Sequence, residues 1–344
     1  MKKILLFKIG AIGDTLMTTP FVRQLRRNFP MDKIDYLVGK VSSQVLEGNR
    51  NVNEVIPFDE AIFFKKRVIK LLALIKFIRK RKYDYVFVFD KHWIFNLTAF
   101  LFGIKKRAGF DRLGREGLFL NYKVRYEKPK HEIFYYLDLL DAINKKADYG
   151  DCKMELFLSG EDRALAKKVW QKYRLKDKKV IGIAPGGGKN PGEKTEIRNW
   201  GIEKYVELIR RLIDKNYFAI LIGGPFDSGK EKRILEKVHS KKIISLIGKS
   251  TIKESAAVIK KCDYFICNDS GPMHIASAVN KNIISIFGPT NPERKAPLWK
   301  HSRALWKDQG IYEESYELFG KSSGKKFMEK IRPNDVLLSI ARLK

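Results

Sequence analysis

The sequence predicts an α/β fold with two doubly wound parallel sheets, one in each half of the chain. Short, nearly continuous apolar segments recur along the chain, as expected for strands buried on both faces. Helical segments follow most of them, and this alternation predicts parallel βαβ units. The alternation occurs twice, and 344 residues are enough for two domains.

The first half contains five predicted strands and the helices that connect them. The strands are expected at 3–9, 34–38, 52–58, 85–90 and 107–110. Helices are expected directly after Gly13 and at 41–46, 62–82, 93–102 and 131–144. The helix at 62–82 is the longest of these and combines many cations with many large apolar residues.

The second half repeats the pattern after a linking helix at 161–173. Its strands are expected at 180–184, 218–222, 243–246, 264–267 and 283–287, with helices at 202–215, 229–240 and 252–261. A last helix should start at Pro333. We therefore predict an N-terminal domain over 1–150, a second domain over 151–330 and a C-terminal helix over 331–344.

The net charge of +30 is the strongest signal in the composition. Residues 1–150 hold 30 Lys and Arg against 16 Asp and Glu, or +14, which leaves +16 for the rest of the chain. A basic tail is therefore not the cause. Such a charge favours nucleic acid, anionic lipid or a phosphorylated glycolipid as partner. No nucleic-acid-binding motif is visible, so the charge alone does not choose among them.

The sequence also bears on the compartment. No apolar segment reaches the ~18–20 residues of a transmembrane helix, and none is expected. Lys8 and Asp14 interrupt the N-terminal apolar segment too early for a secretory signal. The three cysteines are too few, and wrongly spaced, for a zinc site or a disulfide framework. A reducing cytoplasm is the expected location.

The segment 264–292, YFICNDSGPMHIASAVNKNIISIFGPTNP, carries the most specific pattern. It predicts a strand, a tight turn, a short helix and a second strand. The helix N-terminus then lies at the carboxyl end of the first strand, where its free N–H groups favour an anion such as a pyrophosphate. An ordinary alternative is that Asp269 is only a helix N-cap and His274 a core histidine.

The order Asp-Ser-Gly-Pro-x-His followed by Phe-Gly-Pro-Thr-x-Pro resembles the donor-binding signature of the family 9 glycosyltransferases, which include the lipopolysaccharide heptosyltransferases. The N-terminal segment KILLFKIGAIGDTLMTTPFVRQLRRNFP resembles the opening motif of the same family. The resemblance covers nearly the whole chain. It implies the glycosyltransferase-B architecture, with two Rossmann-like domains facing each other across a central cleft.

The resemblance assigns the catalytic role to Asp14. It matches the aspartate of the family motif G-D-x-x-x-x-x-P, and Pro20 completes that motif. In the family, this aspartate is the proposed general base for the acceptor hydroxyl. A single carboxylate suits an inverting displacement. The alternative is that Asp14 is only a helix N-cap. Lys8, at the end of the preceding strand, could balance charge or contact the acceptor, or could be a solvated strand-end lysine.

The donor-binding residues implied by the resemblance lie in the second half. Ser270 and Gly271 would offer amides to the phosphates, while Asp269 and His274 would face the sugar and the diphosphate. A glycine-rich loop starts at Ala184 and continues to Lys194, and it is neither a dinucleotide fingerprint nor a Walker A motif.

Three further donor contacts are implied, and one of them departs from the family pattern. The family usually carries Lys-x-Trp-Pro where this chain reads Arg198-Asn199-Trp200-Gly201. Arg198 keeps the positive charge and can bind phosphate through two donors. Glu231 is assigned to the ribose, with a solvated helix glutamate as the alternative. Ser250 lies in the loop assigned to the base, which could equally be a plain connection.

Two predictions concern the surroundings of the site. No DxD motif and no metal-ligand spacing is present near it, so we expect no metal, with charge neutralised by protein cations and the helix N-terminus. The basic helix at 62–82 ends in the membrane-facing candidates Arg79, Lys80, Arg81 and Lys82. It could dock on anionic lipid, or pack on the sheet with a solvated basic face.

Together these observations predict a cytoplasmic, metal-independent, inverting glycosyltransferase, peripheral at the inner face of the inner membrane. The resemblance favours ADP-heptose as donor and a lipid A–Kdo core as acceptor. Alternatives are the same fold with another nucleotide sugar or acceptor, a non-enzymatic basic nucleic-acid-binding protein and a Rossmann oxidoreductase. The absence of an aromatic-basic RNA motif and of a dinucleotide fingerprint argues against the last two. The sequence leaves the heptose position and the oligomeric state open.

Overall fold

The structure is a computed structural model that describes residues 1–65, 67–112, 114–126, 129–187, 195–280, 282–308, 310 and 327–343. The chain divides into two compact units, Met1–Phe157 and Leu158–Lys344. The division therefore falls seven residues after the predicted end of the first domain, and the C-terminal helix belongs to the second unit. The predicted α/β class with two parallel sheets is confirmed.

The first unit is built on a six-stranded parallel sheet with the strand order β3-β2-β1-β4-β5-β6. Its strands are β1 (Lys3–Lys8), β2 (Lys33–Gly39), β3 (Glu54–Phe58), β4 (Tyr85–Val88), β5 (Lys106–Asp111) and β6 (Tyr122–Arg125). Its helices are α1 (Ile12–Met17), α2 (Thr19–Asn28), α3 (Lys40–Ser43), α4 (Ala61–Phe64), α5 (Val68–Lys80), α6 (Trp93–Leu101) and α7 (Glu132–Asp141). The apolar residues of β1 are fully buried because helices cover both faces of the sheet.

The prediction of one long helix over 62–82 is wrong, because the structure has two helices there. Arg67 precedes α5 with a non-helical backbone (φ −81°, ψ 76°), and its guanidinium binds Asp59 at 3.0 Å. The Phe63 ring of α4 packs between Phe7 and Phe95 in the core. The separate α5 packs through Ile75 and Ile78 on the same hydrophobic core.

The second unit repeats the same arrangement with the strand order β12-β11-β10-β7-β8-β9. Its strands are β7 (Val180–Ala184), β8 (Phe218–Leu221), β9 (Ile243–Ser245), β10 (Tyr264–Asn268), β11 (Ile283–Ile286) and β12 (Arg303–Leu305). Its α-helices are α8 (Gly160–Lys172), α9 (Ile202–Asp214), α10 (Ser228–Lys237), α11 (Ile252–Lys261), α12 (Gly271–Val279), α13 (Pro292–Lys295) and α14 (Pro333–Arg342). Cys262 and Cys267 are buried free thiols in this unit.

Both sheets have the Rossmann strand order and are parallel throughout, and the order in which successive strands are added reverses between β1 and β4 and between β7 and β10. In open parallel sheets, ligands bind beyond the carboxyl ends of the strands at such a switch point. The sequence did not predict β6 or β12, which are short, polar strands at the sheet edges. No helix among the described residues has the length and apolar character needed to cross a bilayer.

Candidate active site

A buried ion pair lies at the switch point of the first unit, between the ends of β1 and β4. Lys8 ends β1 and is 4% exposed, and its ammonium pairs with Oδ1 of Asp90, just beyond β4. The other carboxylate oxygen of Asp90 accepts the N–H of Ile9 at 2.6 Å. The alternative of a solvated strand-end lysine is therefore wrong. Sequence reasoning assigned no role to Asp90, although it follows a buried strand beside the switch point.

Asp14 lies on α1, which follows β1 after a short turn. The helix N-cap is Ala11, and Asp14 is the third residue of the helix and half-buried. The N-cap alternative for Asp14 is therefore wrong. A carboxylate in a first helical turn is stabilised by the free N–H groups and the helix dipole. The described structure leaves the role of Asp14 as general base a prediction.

Asp14 belongs to an electrostatically coupled group of carboxyls. Burial raises the pKa of Asp90, the Lys8 ammonium opposes this most strongly, and the negative charge of Asp14 adds to it. Burial also raises the pKa of the Tyr136 phenol on α7, and the charges of Asp14, Glu132 and Asp90 increase the shift. A base at Asp14 would therefore work in a site whose other charged groups are buried and fixed.

The switch point of the second unit is held together by Asn268, the last residue of β10. Its side chain is fully buried, donates to the carbonyl oxygen of Gly186 at 3.0 Å and accepts from the Tyr205 hydroxyl at 3.0 Å. These bonds fix the loop after β7 against the end of β10. Sequence reasoning treated Asn268 only as a turn residue, because its partners lie far away in the chain.

Asp269 joins the two parts of the donor signature. It is 2% exposed, and Oδ2 accepts a 2.6 Å hydrogen bond from the Thr290 hydroxyl. The N-cap of α12 is Ser270 and not Asp269, so the N-cap alternative is wrong here too. The Ser270 hydroxyl donates to the Asn268 carbonyl oxygen at 3.3 Å. Among the described residues no side chain caps α12, whose N-terminus at Gly271 can therefore receive an anion.

His274 follows on the first turn of α12 and is 5% exposed. Its burial agrees with the alternative of a core histidine and also with a residue that faces a bound diphosphate. The predicted sugar and diphosphate contact therefore stays a prediction.

Arg198 ends a short 3₁₀ helix, Thr195–Arg198, and is half-buried. Residues 188–194 of the glycine-rich loop lie outside the described residues. Trp200 is buried and its indole N–H donates to the Ile331 carbonyl oxygen at 2.9 Å. Gly201 has φ +102°, which proline cannot adopt, so this backbone conformation excludes the proline usual in the family.

Glu231 lies in the first turn of α10 and Ser250 in the loop before α11, both after strands of the second sheet. The Glu231 side chain is only 16% exposed and lies 3.3 Å from the Lys249 ammonium, so the alternative of a solvated glutamate is wrong. The Ser250 hydroxyl is 2.7 Å from the Ser255 hydroxyl at the start of α11. Their contacts with ribose and base remain predictions.

Asp227 is a residue of this edge that sequence reasoning missed. A Cβ atom on Gly186 would lie 2.2 Å from its carboxylate, and one on Gly223 would lie 2.7 Å away. The glycines of both loops therefore serve to admit this side chain. Its proximity to the loop after β7 makes Asp227 a neighbour of the predicted phosphate site.

The four membrane-facing candidates differ in their surroundings. Arg81 binds both carboxylate oxygens of Glu54 at 2.7 and 2.8 Å and stacks on the Phe77 ring. It is therefore a structural cation. Arg79, Lys80 and Lys82 are exposed, as the surface interpretation requires.

Charged side chains occur at both edges, but within the described ranges no three His, Cys, Asp or Glu side chains gather as a metal site. The first edge offers a carboxylate beside a buried ion pair. The second edge offers an uncapped helix N-terminus, and Arg198 lies on the 3₁₀ helix between β7 and α9 of the same unit. Groups of these kinds are suited to binding a diphosphate and to removing a proton, the two roles that the sequence predicts.

Comparison with known proteins decides the family. The model of glycosyltransferase family 9 (heptosyltransferase) matches residues 71–318, which is most of the chain. The chain belongs to glycosyltransferase family 9. The predicted family is thus confirmed, and this family 9 protein is a glycosyltransferase.

Relatives of this family 9 glycosyltransferase match it along almost its whole length. It is 26% identical to the lipopolysaccharide core heptosyltransferase OpsX of Haemophilus influenzae, over 99% of this chain and 97% of that protein. A family 9 glycosyl transferase from Veillonella parvula has a similar structure, with a TM-score of 0.81 at 23% identity, covering 99% of this chain and 97% of that one.

Escherichia coli ADP-heptose lipopolysaccharide heptosyltransferase II is also similar in structure, with a TM-score of 0.78 at 23% identity and coverage of 99% and 98%. These similarities confirm the GT-B fold class of the two Rossmann-like units.

Proposed function

We propose that this glycosyltransferase transfers a heptose from ADP-heptose to a lipopolysaccharide core acceptor. The observation that carries the proposal is the Asp269–Thr290 hydrogen bond, which joins both donor-signature segments beside the uncapped N-terminus of α12. That arrangement suits a diphosphate. The sugar and acceptor come from relatives whose names specify ADP-heptose or the lipopolysaccharide core.

We assign the donor to the second unit. Arg198 and the amides of Ser270 and Gly271 would bind the diphosphate, with Asp269 and His274 near the sugar. Glu231 would hold the ribose and the loop at Ser250 the adenine. These protein groups would neutralise the leaving diphosphate without a metal ion.

We assign the acceptor and the base to the first unit. The acceptor hydroxyl would attack the anomeric carbon from the face opposite the diphosphate, so that a C–O bond forms while the bond to ADP breaks. Asp14 would take the hydroxyl proton, and ADP would leave with the electron pair. Attack from the opposite face inverts the anomeric configuration.

A lipid-linked acceptor places the reaction at a membrane. We therefore infer that the protein acts in the cytoplasm as a peripheral protein of the inner face of the inner membrane. Its excess of cations favours this anionic surface.

A different nucleotide sugar is the second candidate for the donor, because Arg198 and Gly201 replace the lysine and proline usual in the family.

Calorimetry with ADP, ADP-heptose and UDP-sugars, with a chelator present, tests the donor. We expect the adenine nucleotides to bind and the uridine ones not to. Loss of ADP binding with the chelator, or a clear preference for uridine, would contradict the proposal. Transfer of heptose to a purified core acceptor would then establish the reaction.

A further inference from the structure

The corner between α4 and α5 exposes four large apolar side chains to solvent. Phe64 is 58% exposed, Val68 62%, Ile69 83% and Leu72 59%. We call these four residues the apolar tip. Single exposed apolar residues are ordinary, but four within nine positions of one chain segment mark an interaction surface.

The apolar tip continues into a basic surface on the same helix. The opposite face of α5 packs on the core through Ile75 and Ile78. Seven and eleven residues after Ile69, and therefore on the same face of the helix, come the exposed Lys76 and Lys80. The outer face of α5 thus presents Ile69 in its first turn and the cations Lys76 and Lys80 in its later turns, with the exposed Lys70 and Phe77 beside them.

The position of the apolar tip links it to the proposed acceptor site. α4 follows the carboxyl end of β3, and α5 leads back to the start of β4. The tip therefore belongs to the carboxyl edge of the first sheet, the edge that bears Asp14. The Phe63 ring of α4 packs on Phe7, the residue before Lys8, with 6.2 Å between ring centres.

We propose that the apolar tip inserts into the interface of an anionic membrane while Lys76 and Lys80 contact lipid phosphates. This inference rests on the proposed function, because a lipid-linked acceptor needs the first unit at the bilayer surface. It extends the contact surface from the end of the basic helix to the apolar tip and leaves out Arg81, which is held by Glu54. Amphipathic helices bind membranes through this combination of buried apolar side chains and flanking cations.

Other occupants fit these residues less well. If two copies of this chain met through this surface, the exposed Lys70, Lys76 and Lys80 of each would face a surface of the same positive charge, and like charges repel. Nucleic acid would use the lysines and leave the large apolar side chains in water. An anionic bilayer satisfies both parts of the surface.

Co-sedimentation of the full chain with vesicles tests the inference. We expect binding to phosphatidylglycerol-containing vesicles and weak binding to pure phosphatidylcholine. The tip variant Ile69→Ser/Leu72→Ser should partition about tenfold less into the anionic vesicles. The charge variant Lys76→Gln/Lys80→Gln should also bind about tenfold less at low salt and depend less on salt. Leu338→Ser, a 49% exposed position on α14, is the matched control and should bind as the unchanged protein does.

The outcomes separate the inference from the proposed function. Unchanged vesicle binding by the tip variant would overturn the inference even if ADP binding and heptosyl transfer are intact. Loss of self-association in the tip variant, with no vesicle binding by the unchanged protein, would overturn it in favour of a second copy. Failed transfer with normal, tip-dependent vesicle binding would count against the proposed function alone. A circular dichroism spectrum and a cooperative melting curve like those of the unchanged protein, in each variant, control for folding of the first unit.

Discussion

At the scale of single residues, Asp14 and the Lys8–Asp90 pair decide how the first unit would do its chemistry. The pair anchors the end of β1 from which the turn to α1 departs. Asp14 stands on that helix, and its charge is coupled to that of Asp90. The residue that would react and the residues that would position it can therefore be tested by different measurements.

We expect Asp14→Asn to lower turnover by about a hundredfold or more, the usual scale for loss of a general base. Stability and ADP affinity should change little, because Asn has nearly the same size and Asp14 is not the N-cap of α1. Steady-state kinetics with ADP-heptose, alongside a melting curve, make the comparison. Turnover close to that of the unchanged enzyme would refute the catalytic role.

We expect Lys8→Met or Asp90→Asn alone to cost about 3–5 kcal/mol of unfolding free energy, because each leaves a buried partner without its counter-charge. The double variant should recover much of this loss, since no buried charge is then unpaired. Denaturant unfolding of both single variants and the double variant measures the coupling. Arg211→Met, which breaks the exposed Arg211–Glu207 pair, is the control and should change stability little. Additive losses at Lys8 and Asp90 would show that the two groups do not act as a pair.

At the scale of elements, the segment from the 3₁₀ helix to α9 shows how a motif departure is absorbed. The indole N–H of Trp200 is bonded to the Ile331 carbonyl, and its ring packs edge-on against Tyr205. Tyr205 in turn donates to Asn268. Trp200, which the family shares, thus supports the end of β10. The next residue, Gly201, has a backbone conformation that proline cannot adopt.

Gly201→Pro, which restores the family residue, should therefore destabilise this protein. Proline fixes φ near −65°, and forcing a residue away from the +102° found here is expected to cost about 1–3 kcal/mol. Gly160→Ala at the start of α8, where a Cβ atom meets open space, is the matched control and should be nearly neutral. Melting temperatures of the two variants decide the matter. An unchanged or higher melting temperature for Gly201→Pro would mean that the backbone at this position adapts.

The sequence predicted the buried central strands well, and β1 and β10 are examples. Their apolar segments are continuous because both faces are covered. It could not predict that the segment 62–82 forms two helices. That division depends on the packing of Phe63 against Phe7 and Phe95, which are distant in sequence. The edge strands β6 and β12 were missed because a short strand with one exposed face has little apolar signal.

The candidate site was predictable only where a contiguous motif marked it. Asp14 and the segment at Asp269 are visible in the sequence. The burial of Lys8 was not, since its partner Asp90 lies 82 positions later in the chain. The same holds for Asn268, whose side chain bonds to segments more than sixty positions away.

At the scale of the whole molecule, the charge of +30 is shared by both units and should act on any polyanion. We expect heparin and DNA to bind without sequence preference and to dissociate by about 0.5 M salt, because the attraction comes from counterion release. The ADP-induced rise in melting temperature should persist at that salt concentration. Fluorescence anisotropy with two unrelated DNA sequences, over a salt series, measures this. Salt-resistant binding of one sequence alone would favour the nucleic-acid alternative.

The bond from Trp200 to Ile331 has a consequence for genetics. The matched family region stops at residue 318, so a premature stop codon just beyond it could be judged harmless. Such a truncation would delete the carbonyl that accepts the Trp200 N–H, together with α14 and its buried Val336 and Ile340. The Trp200 indole would then lose its hydrogen-bond partner, and Trp200 packs on Tyr205, which holds Asn268 at the end of β10. A nonsense allele in this last stretch should therefore behave as a null allele.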